Sequence, residues 1–432
     1  MDKDGFKGTL DGQLLSPDFG GGAGGEANFK DTPLGPLPQE WKIVGIGDLV
    51  EKGVAWIKNG YAQGEHNLEN RGVPHLRPFN VTTCGQIDLS QIKYVVPPPE
   101  SSTYWVKPND IIFNNTNSEE LVGKTAFFHL DGDYVISNHM TIIRIAENGP
   151  VDAYWLSQLI HNYWQKGIFR ALCRRHVNQA SVSLDRMKGV QIPLPPLSEQ
   201  RAIAHVLSTV RQSIEATERV IAAARQLKRS LMEHLFTYGP VPVDQAEHVL
   251  LKETEIGEVP KEWTEGRFDE FSILQRGYDI TKEQQRSGTV PVVSSSGIKS
   301  YHDTALVKGP GVVIGRKGTL GKTHFIPSDY WPHDTTLWIK DFMGNHPKFI
   351  YYLLSRLKLE KLDTGTSNPT LNRNYVHPLK IACPNKQIQE QIAGMLDILD
   401  PKITIEKQRK TSLEALFNSL LHHLMTGKVR VV

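Results

Sequence analysis

The sequence predicts a duplicated α/β (α+β) fold: two globular bodies joined by two long antiparallel coiled-coil helices, with pseudo-two-fold symmetry. The decapeptide TPLGPLPQEW, Thr32 to Trp41, returns as TEIGEVPKEW, Thr254 to Trp263. The segment IPLPPLSEQRAIAHVL from Ile192 returns without a gap as IACPNKQIQEQIAGML from Ile381. Over roughly 46 positions of this second pair about thirteen residues are identical, more than unrelated amphipathic helices share. The expected order of strands and helices is also the same in both halves. One chain carrying two divergent copies of a module suits a target with two half-sites.

Residues 1–31 hold Gly20-Gly21-Gly22-Ala23-Gly24-Gly25 and few apolar groups, which predicts a mobile arm unable to offset the entropy of ordering. No hydrophobic strand precedes these glycines, so they do not form a nucleotide loop. Residues 32–190 read as the first body. Strands are expected at Val73 to Val81, Tyr94 to Val96, Asp110 to Phe113 and Thr141 to Ile145, with a helix from Asp152 to Trp164. Residues 191–239 read as a central helix. Its seam runs through Ile203, Leu207, Val210, Ile214, Thr217, Ile221, Ala224, Lys228, Leu231 and Leu235, in alternating steps of four and three. Residues 240–380 hold a linker and the second body. Strands are expected there at Val290 to Val293, Gly311 to Ile314 and Thr336 to Ile339, then a helix from Pro347 to Leu359. Residues 381–432 carry the second helix, with its seam at Ile392, Leu396, Leu399, Ile403, Glu406, Lys410, Leu413, Phe417, Leu420 and Leu424. Asp400-Pro401 reads as a cap and a first-turn proline, so a kink or restart is expected there. Each helix, at ~35 residues, would span ~50 Å.

Composition excludes several classes. No apolar run approaches the ~18 residues of a membrane span, and the N-terminus lacks a secretory signal's apolar core. Cys84, Cys173 and Cys383 are scattered with no C-x-x-C pair, which argues against structural zinc and fits a reducing cytoplasm. Net charge is only +2, less basic than most lone DNA-binding domains.

Catalytic motifs fail on inspection. Gly315 to Thr323, GRKGTLGKT, places its first glycine one residue too far upstream for a P-loop, and Gly123-Lys124-Thr125 has Ser118 where the leading glycine belongs. Two near-misses at equivalent places fit the duplicated fold better than two damaged ATP sites. Asp363-Thr364-Gly365 lacks the partner that an aspartic protease needs. Asn368-Pro369-Thr370-Leu371 is not a base-flipping methyltransferase loop. The chain reads as non-catalytic alone, holding no metal and no cofactor.

Clusters suited to nucleic acid remain. Lys166, Arg170, Arg174, Arg175 and His176, followed by Asn178 and Gln179, fall late in the first body. In the second, Arg276, Tyr278, Ser294 to Ser296, Lys299, Arg316, Lys317, Asn372, Arg373 and Asn374 fall in predicted loops, Ser295 among them. Lys124 and Lys322 are candidates for the DNA backbone. Arginine reads guanine bidentately, asparagine reads adenine, and serine holds phosphates.

Two variable bodies, each led by P-x-x-W (LPQEW, VPKEW) and joined to two similar helices, resemble the specificity subunit of type I restriction-modification systems. PLPPLSEQRAIAHVL is close to that family's hallmark, and PNKQIQEQIAGML is a looser second copy. VVSSSGIKSY, GVVIGRKGTLGKT and PHDTT also look like segments of its target-recognition domains. The resemblance covers about residues 32–432. It implies a double-stranded-DNA reader in which each target-recognition domain takes one half of a bipartite site and the helices set the spacing. It also implies two modification subunits that bind S-adenosylmethionine and methylate adenine N6, ATP-dependent restriction subunits, and a cytoplasmic location. The alternative is a non-DNA coiled-coil adaptor with two α/β ligand-binding lobes; an enzyme comes third.

Overall fold

A computed structural model describes residues 28–63, 65–362 and 369–431. Residues 1–27 of the expected arm and the Asp363 to Asn368 loop lie outside the described residues. The chain divides into two units, Met1–Ser213 with Leu413–Val432 and Ile214–Ser412. Each therefore holds one body, one part of the central helix (Leu197–Tyr238) and one part of the C-terminal helix (Leu399–Met425).

In unit 1 the chain enters through a hairpin, Phe29–Lys30 on Leu37–Pro38, that buries Trp41. Lys42–Gly45 pairs antiparallel with Gln191–Leu194, so the body is closed where the chain enters and leaves it. A four-stranded antiparallel sheet runs in the order Ala55–Asn59, Thr141–Ile145, Ile111–Phe113, Thr125–Phe127. A three-stranded sheet sets Val73–Leu76 between Val135–Ile136, in parallel, and Lys93–Val95. Ile111, Ile112 and Phe113 are buried without alternation, which is why their run is continuously apolar. The helix Ala153–Gln165 starts where Asp152 accepts the Trp155 amide at 2.8 Å, and buries Trp155, Leu156, Leu159 and Ile160.

Unit 2 repeats the plan. The hairpin Leu251–Thr254 on Gly257–Pro260 leads to Trp263, and Thr264–Arg267 pairs with Lys380–Cys383. The four-stranded sheet runs Ile273–Arg276, Thr336–Asp341, Gly311–Gly315, Thr323–Ile326. In the three-stranded sheet Val290–Ser294 lies between Gly297–His302 and the parallel Trp331–Pro332. Val312, Ile314, Leu337 and Ile339 pack with the helix Pro347–Arg356 and with Phe236, each aliphatic side chain contributing about 1.5–3 kcal/mol of burial.

Within each unit the two helix parts run antiparallel. In unit 2 Lys228 pairs with Asp400, and Glu218 with Lys410 at 2.7 Å, ten residues back along one helix and ten forward along the other. In unit 1 the Arg211 guanidinium lies 4.0 Å from the Phe417 ring, and Arg430 pairs with Glu199. All the predicted seam positions are buried or half-buried, including Val210, Leu231, Leu413 and Leu420. The break in the second helix falls at Ile398, not at Asp400. Pro401 has no N–H to give the Asp397 carbonyl, so the ladder is interrupted upstream of the proline. Asp400 is no cap either; its carboxylate accepts from Lys228 and, at 2.9 Å, from the Tyr352 hydroxyl.

The repeated motif has a structural cause. Gln200 donates to the Pro195 carbonyl at 2.8 Å and accepts from the Asp152 amide at 2.9 Å. Gln389, its counterpart in the repeat, donates to the Pro384 carbonyl at 2.9 Å and accepts from the His346 amide at 2.8 Å. Asp152 and His346 each cap the helix of their own body. One buried amide therefore staples the start of each long helix to its body.

Candidate nucleic-acid interface

In unit 2 the sheet ends bring separated residues together. Arg276 ends its strand and its Nη2 lies 3.2 Å from Asp334 Oδ2. Arg316 follows the strand Gly311–Gly315 and donates from Nη1 to the Asp334 carbonyl at 3.2 Å. Asn372 and Arg373 begin a short helix, where the Asn372 side chain accepts the Asn374 amide at 3.0 Å. Arg276, Arg316, Asn372 and Arg373 line one cavity of about 410 Å³ with Gln275, Leu337 and Thr370. Burial and the neighbouring Arg276 charge push the Arg316 guanidinium down from its usual range. Lys317 and Lys322 are exposed on the turn that follows. Tyr278 is exposed, and its hydroxyl accepts from Gln275 at 3.0 Å. Asp279, His333 and Asp334 could together offer a metal three ligand atoms. A cation there would compete with Arg276 for Asp334, so the carboxylate is better read as the anchor of that arginine.

In unit 1 Lys166 and Arg170 of the expected basic cluster lie at helices, and the rest forms a hairpin, Arg174–Arg175 on Ala180–Ser181, with Val177 99% exposed near its tip beside Asn178. Arg170 and Arg175 both donate to Glu119 Oε1, at 3.0 and 2.9 Å. The Arg170 bond, above all, holds the Glu119 carboxyl below its ordinary range. Both arginines are thus ion-paired and remain exposed. Arg174 is exposed on the same short strand.

Two candidates prove to be interior. Lys124 is 5% exposed and donates its ammonium to the Val81 carbonyl, and burial pushes its pKa down. It is turned away from any phosphate. Ser295 is 9% exposed, with its carbonyl accepting from His324 at 3.0 Å and its amide turned to Thr335 Oγ1. Ser294 and Ser295 build the strand end and are buried, while Ser296 is exposed in the turn.

The sequence reading missed a matched pair, Gly60-Tyr61 and Gly277-Tyr278. A Cβ on Gly60 would lie 2.3 Å from the Ile136 carbonyl oxygen, and one on Gly277 2.1 Å from that of His333. Only glycine admits that approach. The dipeptide repeats in the sequence and could have been found there.

The profile of the type I restriction modification DNA specificity domain matches residues 38–226 and 260–415. The chain belongs to that family. Each matched stretch of the specificity domain covers most of one body and part of the helix that follows it. The chain is 27% identical over 428 residues to the type I restriction enzyme MjaX specificity subunit of Methanocaldococcus jannaschii, covering 94% of this chain and 97% of the relative. It is 25% identical to the MjaVIII specificity subunit of the same organism, with the same coverage. Among solved structures, the S subunit of a type I restriction-modification system from M. genitalium shares the fold at a TM-score of 0.62. That match has 16% identity and covers 89% of this chain and 96% of that one. Among the described residues no helix is long and apolar enough to cross a membrane.

Proposed function

We propose that this specificity-domain chain reads a bipartite, gapped DNA site and scaffolds the complex that modifies it. The carrying observation is the duplication itself: the same strand order twice, each body closed by its own antiparallel helix pair. Each body takes one half-site, with the exposed arginines, lysines and Asn372 in unit 2 and the Arg174 hairpin in unit 1 as its reading surfaces. Modification subunits holding S-adenosylmethionine carry out N6-adenine methylation, and ATP-dependent subunits carry out cleavage. Exposed apolar residues on the helix pair of unit 2, namely Val220, Leu227, Met395, Ile398 and Ile405, suit docking of a modification subunit.

Genome-wide mapping of N6-methyladenine, with and without this chain and with an active modification partner present, tests the proposal. Loss of one gapped motif on deletion is expected. Unchanged methylation would return the adaptor reading.

A further inference from the structure

The two units place different chemistry on the same backbone frame. In unit 2 the Gly277 amide donates to the Thr336 carbonyl at 3.0 Å and the Leu371 amide to the Arg316 carbonyl at 2.9 Å. In unit 1 the Gly60 amide donates to the Met140 carbonyl at 2.9 Å and the Val182 amide to the Asn115 carbonyl at 2.8 Å. The Thr336 amide meets the His333 carbonyl as the Met140 amide meets that of Ser137. These shared bonds make Asn59 the counterpart of Arg276, Asn115 of Arg316, and Asn138 of Asp334.

Unit 1 closes the frame with uncharged groups, two asparagine amides and a threonine hydroxyl. Asn59 Oδ1 accepts from Asn115 Nδ2 at 3.2 Å and from Thr141 Oγ1 at 2.9 Å. The fold therefore has no need of guanidiniums at these positions, and the arginines of unit 2 call for another explanation. Three of them line one recess, and Asp334 answers one with its carboxylate. What enters that recess must bring hydrogen-bond acceptors.

Two acceptor classes are available on DNA, the backbone phosphate and the base edge. A phosphate asks for charge but little orientation. Arg316 is oriented: it sits half-buried at a strand end, with one N–H fixed to the Asp334 carbonyl. Neutral reading groups, Asn372, Thr370 and Gln275, share the recess. A planar fork held in this way matches the paired O6 and N7 acceptors of guanine in the major groove.

We infer that the Arg276–Arg316–Asn372 recess of unit 2 reads a guanine through Arg316, so that the half-site met by this unit contains a G·C pair at that position. Arg276, tied to Asp334, is the neighbour that keeps the fork in place. The inference rests on the DNA-reading function proposed above.

The test compares wild type with Arg316→Lys and Arg316→Gln, each with its modification partner. It combines methylation-motif mapping, duplex binding at several salt concentrations, and thermal melting. Both variants should relax one guanine position in one half-site, losing roughly 5- to 150-fold of base preference, with the other half unchanged. Lysine keeps the charge and the stem, so it also serves if the glutamine variant fails to fold. A silent R316K, with R316Q weakening all duplexes alike and lowering the salt slope by about one, would make Arg316 a phosphate contact and overturn the inference. So would an affected half-site that holds no guanine. Neither result touches the proposed function, which fails separately if the wild-type complex methylates no gapped motif.

Discussion

Lys124 and Lys322 follow the same local signal, Gly-Lys-Thr behind a strand, and end in opposite surroundings. The first is buried on the Val81 carbonyl and the second is exposed. Short motifs could not separate them, because the deciding contact comes from a residue 43 positions away. Lys124→Ala should lower the stability of unit 1 by about 1–3 kcal/mol, the cost of an orphaned carbonyl and a lost buried stem, and should leave the salt dependence of DNA binding alone. Lys322→Ala should do the reverse, reducing the salt slope by about one. Urea melts and binding isotherms on the two variants would expose an exchange of these roles. His161 is buried in unit 1. Burial, and then the Arg211 charge, pushes its pKa down from 6.5 to about 4. Between those values the unfolded chain binds a proton that the native chain refuses. Stability is therefore full above pH 6.5 and declines as pH falls toward 4, by about 3 kcal/mol for this group. Unfolding midpoints at pH 7 and pH 5 should converge in His161→Gln relative to wild type; an unchanged gap would refute the assignment.

At the scale of elements, the long helices were the most legible part of the chain. Their 4-3 register marked a buried seam, because a side chain's burial in a helix pair depends on its phase and little else. The strands were legible too, as apolar runs whose order repeats. Gln200 and Gln389 were not: a buried glutamine looks like a surface one until the cap it serves is in view. Gln200→Leu should cost about 1–3 kcal/mol by stripping the Asp152 amide and the Pro195 carbonyl of their partner. Gln389→Leu should cost a like amount in unit 2. Hydrogen exchange at the Asp152 and His346 amides reads each staple directly, and unaltered protection would show that it carries no weight.

For the whole molecule, the duplication disclosed the architecture, while the reading positions stayed hidden. Asn59 and Arg276 share a backbone site but no chemistry, so their equivalence appears only through the bonds around Gly60 and Gly277. If the helices set the spacer, an added heptad must enter both of them. Matched insertions after Val220 and after Gln408 add ~10.5 Å of rise. The DNA spacer should then lengthen by about three base pairs at 3.4 Å each; a methylated motif with its old gap would sink the ruler idea. Glu199 is buried in unit 1, and its partners are Trp41 at 2.9 Å and Arg430, whose Nη2 lies 3.0 Å away. Arg430 leaves the ribosome 231 residues after Glu199, which at ~5–20 residues per second is a wait of roughly 10–50 s. Until then the first unit holds a buried carboxylate that has the Trp41 indole N–H but not yet its counter-charge, so a nascent chain that stalls in unit 2 carries a built-in weakness that proteases can find.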